Sequence, residues 1–275
     1  MEPGIFESVF DRPTLAARFS AVAASGFTCV QFDPRSAGLD PWTSELPSGA
    51  ASGILAALRD AGIRIPAVEG TYNMAHPDPE ARRAGHEGLV RVIELAAELG
   101  ARFVTLCTGT RNYSSMWRSH PDNVLDDAWT DMLGSVASAL VAAQTYGITL
   151  LVEPEPANVV NSTSRARALL DQVSDARLRI VLDPANIVLS DRSREPLEVL
   201  RESFALLGPD IAFAHAKDLS AEGRFCAAGS GIVPWEAYWD LLDGIGYEGD
   251  VIFHTLTEAE IPAALAISPW ASQAT

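Results

Sequence analysis

Four apolar runs in this chain each stop on a side chain that can ligate a cation or move a proton. They read Leu151-Val152-Glu153-Pro154, Val181-Leu182-Asp183-Pro184, Ala212-Phe213-Ala214-His215 and Val251-Ile252-Phe253-His254. A strand buried on both faces gains nothing by ending in a carboxylate or an imidazole unless a partner waits at its tip, because an unpaired polar group costs free energy when it leaves water. The terminal residues stand 30, 32 and 39 positions apart, close to the length of one strand-helix-strand unit. Parallel neighbours would bring all four groups to the same end of a sheet, and in a closed barrel to one point.

Strand and helix signals alternate along the whole chain. The pattern predicts strands near 4–9, 27–33, 63–69, 101–107, 148–153, 179–183, 211–216 and 250–254. Helices are predicted near 14–25, 49–61, 79–99, 123–146, 163–173, 196–207, 235–243 and 258–266. Asp11-Arg12-Pro13 and Pro77-Asp78-Pro79 are helix-start signals. Gly26, Gly62, Gly100 and Gly147 stand where helices should close on a left-handed residue before the next strand. Eight such units favour a closed (β/α)8 TIM barrel over an open doubly wound sheet, and no Gly-x-Gly-x-x-Gly follows the first strand. The 275 residues suit a single barrel domain spanning 1–275, since no Pro/Ser/Gly-rich linker divides them.

Charge narrows the partners. The formal net charge of -16 repels phosphate backbones and anionic lipid surfaces, so neither nucleic acid nor membrane is expected. The acidic N-terminus, Met1-Glu2-Pro3-Gly4, is unlike a secretory signal, and no apolar stretch is long enough for a membrane span. Three cysteines, Cys29, Cys107 and Cys226, form no Cys-x-x-Cys pair and fit a reducing cytoplasm. A small-molecule substrate and inert thiols are the expectation.

Catalytic groups in this fold sit at the C-terminal ends of the strands and in the loops that follow. Glu153, Asp183, His215 and His254 supply two carboxylates and two imidazoles, a mixed O/N set for one divalent ion such as Mn²⁺, Fe²⁺, Co²⁺ or Zn²⁺; Mg²⁺ prefers all-oxygen shells. A strand-end Asp before Pro also serves as a turn former, and a lone His in a strand is commonly a satisfied core residue. Four in register on consecutive strands outweigh those readings. Glu69, His76, Arg111, Trp117 and His120 follow the third and fourth strands and are expected to line a substrate mouth. The segment from Thr108 to Pro121 is long for a βα loop, and such loops tend to carry function.

The order Glu153-Pro154, Leu182-Asp183-Pro184-Ala185-Asn186, His215-Ala216-Lys217-Asp218 and a ligand on the eighth strand resembles the xylose isomerase-like barrel superfamily, and within it the sugar phosphate isomerase/epimerase group. The resemblance implies a barrel that binds one divalent metal, Mn²⁺ foremost, and shifts a proton between adjacent carbons of a sugar or polyol. It also implies that Glu153, Asp183 and His215 are metal ligands, and that dimers or tetramers are frequent. Arg224 falls in a glycine-rich segment where the family often places a substrate-binding arginine.

Two positions depart from the pattern. His254 stands where most relatives carry a glutamate, and Asn186 stands where many sugar epimerases carry a histidine that contacts substrate. With one Glu, one Asp and two neutral His, the shell carries -2 against a +2 ion rather than -3. At ~4 Å and an effective dielectric of about 20, that one charge is worth roughly 4 kcal/mol, enough to change which anion is favoured. Glu153 or His254 is the expected base, and Lys217 either neutralises an oxyanion or holds Asp183 and Asp218. Besides an isomerase or epimerase, the residues allow a metal-dependent dehydratase or lyase, or a non-catalytic barrel subunit. The acidic charge and the supply of only five His disfavour a DNA-repair endonuclease.

Overall fold

The computed structural model of the protein describes residues 1–271. The expected domain end at 275 lies outside the described residues. Runs rich in Val, Ile, Leu and Phe form β1 (Glu2–Phe6), β2 (Cys29–Phe32), β3 (Arg64–Glu69), β4 (Phe103–Leu106), β5 (Thr149–Val152), β6 (Leu178–Leu182), β7 (Ile211–Ala216) and β10 (Asp250–Phe253). They pair in parallel and close into a barrel in the order β1-β10-β7-β6-β5-β4-β3-β2. A separate two-stranded antiparallel sheet, β8 (Asp218–Leu219) with β9 (Phe225–Cys226), follows β7. The predicted (β/α)8 barrel is therefore the observed architecture.

Helices α1 (Leu15–Ala24), α2 (Ala50–Ala61), α3 (Pro79–Glu98), α4 (Asp126–Tyr146), α5 (Thr163–Val173), α7 (Pro196–Leu207), α8 (Trp235–Gly244) and α9 (Ile261–Ala266) surround the barrel. Their starts follow from capping. The Asp78 side chain accepts from Glu80 N ahead of α3, and Ser162 accepts from Arg165 N ahead of α5. Their ends follow from glycine: Gly26, Gly62, Gly100 and Gly147 all have positive φ, as predicted. Among the described residues no helix is long and apolar enough to cross a membrane.

Strand alternation sorts the interior into layers. Cys29, Ala67, Leu151, Val181, Phe213 and Ile252 form a buried cluster of their own, distinct from the larger core between strands and helices. Gly4 faces the same space: a Cβ there would stand 2.5 Å from both Cys29 Sγ and Ile252 Cδ1. Two residues further along the strands, the same parity turns Gln31, Glu69, Glu153, Asp183, His215 and His254 inward at the C-terminal mouth. The apolar layer excludes water beneath them, which strengthens every electrostatic interaction above it.

Several boundaries differ from the sequence reading. The first strand was expected at 4–9 but runs Glu2–Phe6, and Glu7–Val9 is a 3-10 turn. The fourth helix was expected from 123 but starts at Asp126, after a 3-10 turn over Pro121–Val124. A short helix, α6 (Pro184–Ser190), was not predicted. It begins because Asp183 Oδ1 accepts from Ala185 N and Asn186 N at 2.9 and 3.0 Å, with Pro184 fixing φ at the first helical position.

Candidate active site

Asp183 Oδ2 is the hub of the C-terminal mouth. His254 Nε2 lies 3.0 Å from it, Lys217 Nζ 3.1 Å and His215 Nδ1 3.4 Å. Asp183 is fully buried, and its other oxygen is committed to α6. One ligand atom from each of Asp183, His215 and His254 lies within 4.8 Å of the others. Glu153 stands beside this trio: its Oε1 is 3.6 Å from His215 Nδ1 and accepts from Asn186 Nδ2 at 2.7 Å. The four-residue centre read from the sequence is thus drawn as three groups with Glu153 at their edge.

His215 Nε2 is hydrogen-bonded to Gln31 Oε1 at 2.9 Å, and Gln31 Nε2 donates to Thr105 Oγ1 at 3.1 Å. That chain fixes the ring and leaves Nδ1 aimed at the carboxylates. His215 Nδ1 is buried and makes no hydrogen bond. An orphaned imidazole nitrogen facing two carboxylates fits a divalent cation, and the N/N/O donor set suits a transition ion. Asp183, His215 and His254 would hold it, with Glu153 in reach.

Burial and charge set the protonation states. Burial would depress His215, but Glu153 and Asp183 outweigh it and bring it up to about 9. Burial, with the nearby cations of His215 and Lys217, pushes His254 down to about 4 even though Asp183 opposes the shift. His254 is therefore neutral at pH 7 and His215 carries a proton that a metal must displace. Asp183 is held well below the usual carboxylate range: burial opposes this, and Lys217 with the two imidazoles prevails. Glu69 and Glu155 are each raised to about 7 by desolvation, reinforced by neighbouring carboxylates.

A cavity of about 330 Å³ opens over this cluster. Its walls include Phe6, Gln31, Glu69, Thr105, Trp117, Glu153, Glu155, His215, Lys217, Phe225 and His254. A larger cavity of about 610 Å³ opens at the opposite, N-terminal end of the barrel. Arg64 and Asp250 pair bidentately in its wall, and no imidazole lines it. The cluster of imidazoles and carboxylates lines the smaller cavity, at the end where barrel enzymes carry their catalytic groups.

Of the predicted substrate-binding residues, Glu69 and Trp117 line this cavity. Asn186 lies just behind the wall, its Oδ1 accepting from Lys217 Nζ at 2.8 Å while its amide holds Glu153. Both ends of its amide are thus engaged by neighbouring side chains. Four expectations are corrected. His76 faces Tyr113 edge-on and accepts from Asp78 N. Arg111 is buried and pairs with Asp131 at 2.7 Å and Asp127 at 3.2 Å, tying its loop to α4. His120 accepts from Asp122 N and starts the 3-10 turn. Arg224 sits at the exposed tip of the β8–β9 hairpin beside Glu222. None of the four lines the cavity; each has its partner elsewhere, in a turn, a hairpin or a neighbouring helix.

Lys217 was expected either to neutralise an oxyanion or to hold Asp183 and Asp218. It holds Asp183, but Asp218 is occupied elsewhere: its carboxylate accepts from the backbone of Leu219, Gly229, Gly231 and Val233 and from Trp235 Nε1. Asp218 thereby folds the glycine-rich segment, and a Cβ on Gly231 would stand 2.4 Å from its Oδ1. Gln31, Thr105, Glu155 and Phe225 were missed. A polar residue interrupting Cys29-Val30-Gln31-Phe32 at an inward position was the available signal for Gln31. The three cysteines are free, and burial raises the thiols of Cys29 and Cys107.

A family model described as xylose isomerase-like TIM barrel matches residues 19–269. The chain is 25% identical over 260 residues to a ketose 3-epimerase of Arthrobacter globiformis, covering 92% of this chain and 81% of that one. Among solved structures, a 3-keto-D-glucoside 4-epimerase from E. coli superposes with a TM-score of 0.75 at 17% identity, covering 99% of this chain and 97% of the other. A probable 3-DHS dehydratase from Bacillus anthracis superposes with a TM-score of 0.75 at 14% identity, covering 97% and 98%. At these identities the structural matches speak for the fold, while the family match spans nearly the entire sequence. The chain belongs to the xylose isomerase-like TIM barrel family.

Proposed function

We propose that this protein is a metal-dependent epimerase or isomerase that moves a proton at the carbon next to a carbonyl in a small sugar or polyol derivative. The observation that carries the reading is the convergence of Asp183, His215 and His254, with the unpartnered His215 Nδ1 between two carboxylates. The similarity to a ketose 3-epimerase supports the substrate class. The site suits Mn²⁺, and Mg²⁺, Co²⁺, Fe²⁺ or Zn²⁺ could be held by the same groups. When bound, such an ion withdraws electrons from a carbonyl and acidifies the neighbouring C–H.

The side chains supply the rest. Glu153, kept anionic by His215 and Lys217 despite its burial, is the base that takes the proton from carbon. Asn186 donates to its Oε1 and fixes the carboxylate in the cavity wall. Charge developing on oxygen faces Lys217, whose ammonium is fixed by Asp183 and Asn186. Epimerisation requires a second proton donor. His254, neutral and bonded to Asp183, makes a poor acid, whereas Glu69 and Glu155 titrate near neutrality and line the same cavity. The expected role of His254 as base gives way here to a role as ligand.

The test is solvent exchange. In D₂O, protein loaded with Mn²⁺ and offered a panel of ketohexoses should place deuterium on the carbon beside the carbonyl. Glu153→Gln should abolish that exchange while retaining metal. Metal-free protein after reconstitution, with no exchange on any ketose, would refute the proposal. A dehydratase is the second reading, favoured by the imidazole of His254 in place of a second acid, and loss of water from the product would identify it.

A further inference from the structure

Among the described residues, two other than glycine have positive φ: Ser174 at 50° and Thr255 at 58°. Ser174 has an ordinary reason, since it closes α5 and its N–H donates to Leu170 O. Thr255 closes no helix; it stands two residues past the end of β10. A β-branched side chain in this region of backbone space costs free energy that glycine would avoid. Such strain persists where the surroundings impose it, and here it accompanies one contact: Thr255 Oγ1 lies 3.2 Å from His254 Nδ1.

The rest of the His254 ring is already held. Phe6 and His215 flank it, with ring centroids at 5.3 and 4.6 Å. Its Nε2 lies 3.0 Å from Asp183 Oδ2. An ionised carboxylate only accepts, so for these two groups in direct contact the hydrogen stands on Nε2. The neutral ring then keeps its lone pair on Nδ1, and the Thr255 hydroxyl donates to it. Holding a cation reverses the assignment. An imidazole ligates only through an unprotonated nitrogen, and Nε2 is the nitrogen that faces Asp183. It must give up its hydrogen while Nδ1 takes one, and Thr255 Oγ1 then accepts. A hydroxyl serves both states because it can donate or accept, whereas a carboxylate or an ammonium could serve only one. His215 needs no such partner: its Nε2 is bonded to Gln31 Oε1 while Nδ1 faces the carboxylates.

We infer that Thr255 is a positioning residue for His254: its strained backbone sets the hydroxyl on Nδ1, where it stabilises the tautomer whose Nε2 can hold a divalent ion. The inference rests on the reading of His254 as a metal ligand. Thr255 is exposed, so the ring exchanges hydrogen with water. One proton leaves Nε2 and one is taken up at Nδ1, and the ring stays neutral throughout.

The test uses the full chain, Zn²⁺ and ¹⁵N-labelled histidine. Ring nitrogen shifts report which nitrogen carries hydrogen, and His254→Ala identifies the signals. They should show Nε2–H without Zn²⁺ and Nδ1–H with it. Competition with a chromophoric chelator gives the affinity. Thr255→Val, equally branched but without the hydroxyl, should bind Zn²⁺ about tenfold more weakly, and Thr255→Ser should stay within about twofold of the wild type. Thr255→Gly separates this role from the fold. It relieves the backbone and removes the hydroxyl, so it should resist urea at least as well as the wild type and still lose about tenfold in affinity. Unchanged affinity in either variant without the hydroxyl, or a serine variant as weak as they are, overturns the inference. So does a His254 ring with the same tautomer in both states, or a glycine variant that loses stability along with affinity, which would make the role merely structural. In each of these cases, Zn²⁺ binding that His254→Ala weakens leaves the ligand reading standing. Wild-type protein that binds no Zn²⁺, or binds it no better than His254→Ala, overturns both.

Discussion

Replacing Glu7 with glutamine should remove a pH-dependent penalty that the wild type carries. Glu7 follows β1, is fully buried, and is raised from 4.5 to about 7 chiefly by desolvation. Its Oε1 accepts from Asp33 N at 3.1 Å, while Oε2 has no partner. In the folded chain the carboxyl holds its proton up to about pH 7, whereas in the unfolded chain it releases it near 4.5. Between those values the folded state binds more protons, so stability falls as pH rises and the penalty is complete above 7. At about 1.4 kcal/mol per pH unit, the interval corresponds to about 3 kcal/mol. Glutamine keeps an oxygen for Asp33 N and carries no charge. The variant should match the wild type near pH 4.5 and exceed it by up to about 3 kcal/mol at pH 8, or roughly 6 °C in Tm for a chain of this size. Urea melts of both proteins at pH 5 and pH 8 measure this directly. The comparison must be between the two proteins, because Glu69 and Glu155 tilt the stability of both in the same direction. Parallel pH profiles for wild type and variant would refute the reasoning.

Asp183→Asn should eliminate bound metal and, by leaving the Lys217 ammonium buried without its carboxylate, lower stability by about 3 kcal/mol; elemental analysis and a denaturant melt check the two effects. Asn186→Leu should retain the metal but reduce kcat by about 10- to 100-fold, because Glu153 and Lys217 both lose the amide that orients them. Metal affinity should rise about tenfold per pH unit until His215 loses its proton near 9, measured by competition with a chromophoric chelator; a flat profile between pH 6 and 8 would count against His215 as a ligand. Arg111→Ala should free the loop from Asp131 and Asp127, seen as faster proteolysis between 112 and 120 and a raised KM.

The barrel was legible because its strands are short, apolar and regularly spaced, and because glycine marks the ends of its helices. The core of the site was legible for a related reason: Asp183, His215 and His254 interrupt an apolar pattern that has no use for them. What escaped was decided by loop conformation. His76, Arg111, His120 and Arg224 lie in the right loops, but a loop residue's direction depends on backbone contacts made far along the chain. Asn73, Asn123 and Asn158 hold the segment after β4 and turn Arg111 towards α4. Gln31 and Thr105 looked like ordinary strand residues until the closed barrel linked them in a chain to His215. Asn186 was placed in the right neighbourhood, but its two bonds to Glu153 and Lys217 are visible only once α6 has formed.

Asp183 divides its carboxylate between two duties, one oxygen turned to the backbone at the head of a short helix and the other to the reaction centre. Any substitution that retunes the chemistry at this position must also unsettle the scaffold next to it. A substitution on the eighth strand, where His254 heads no helix, leaves that backbone untouched.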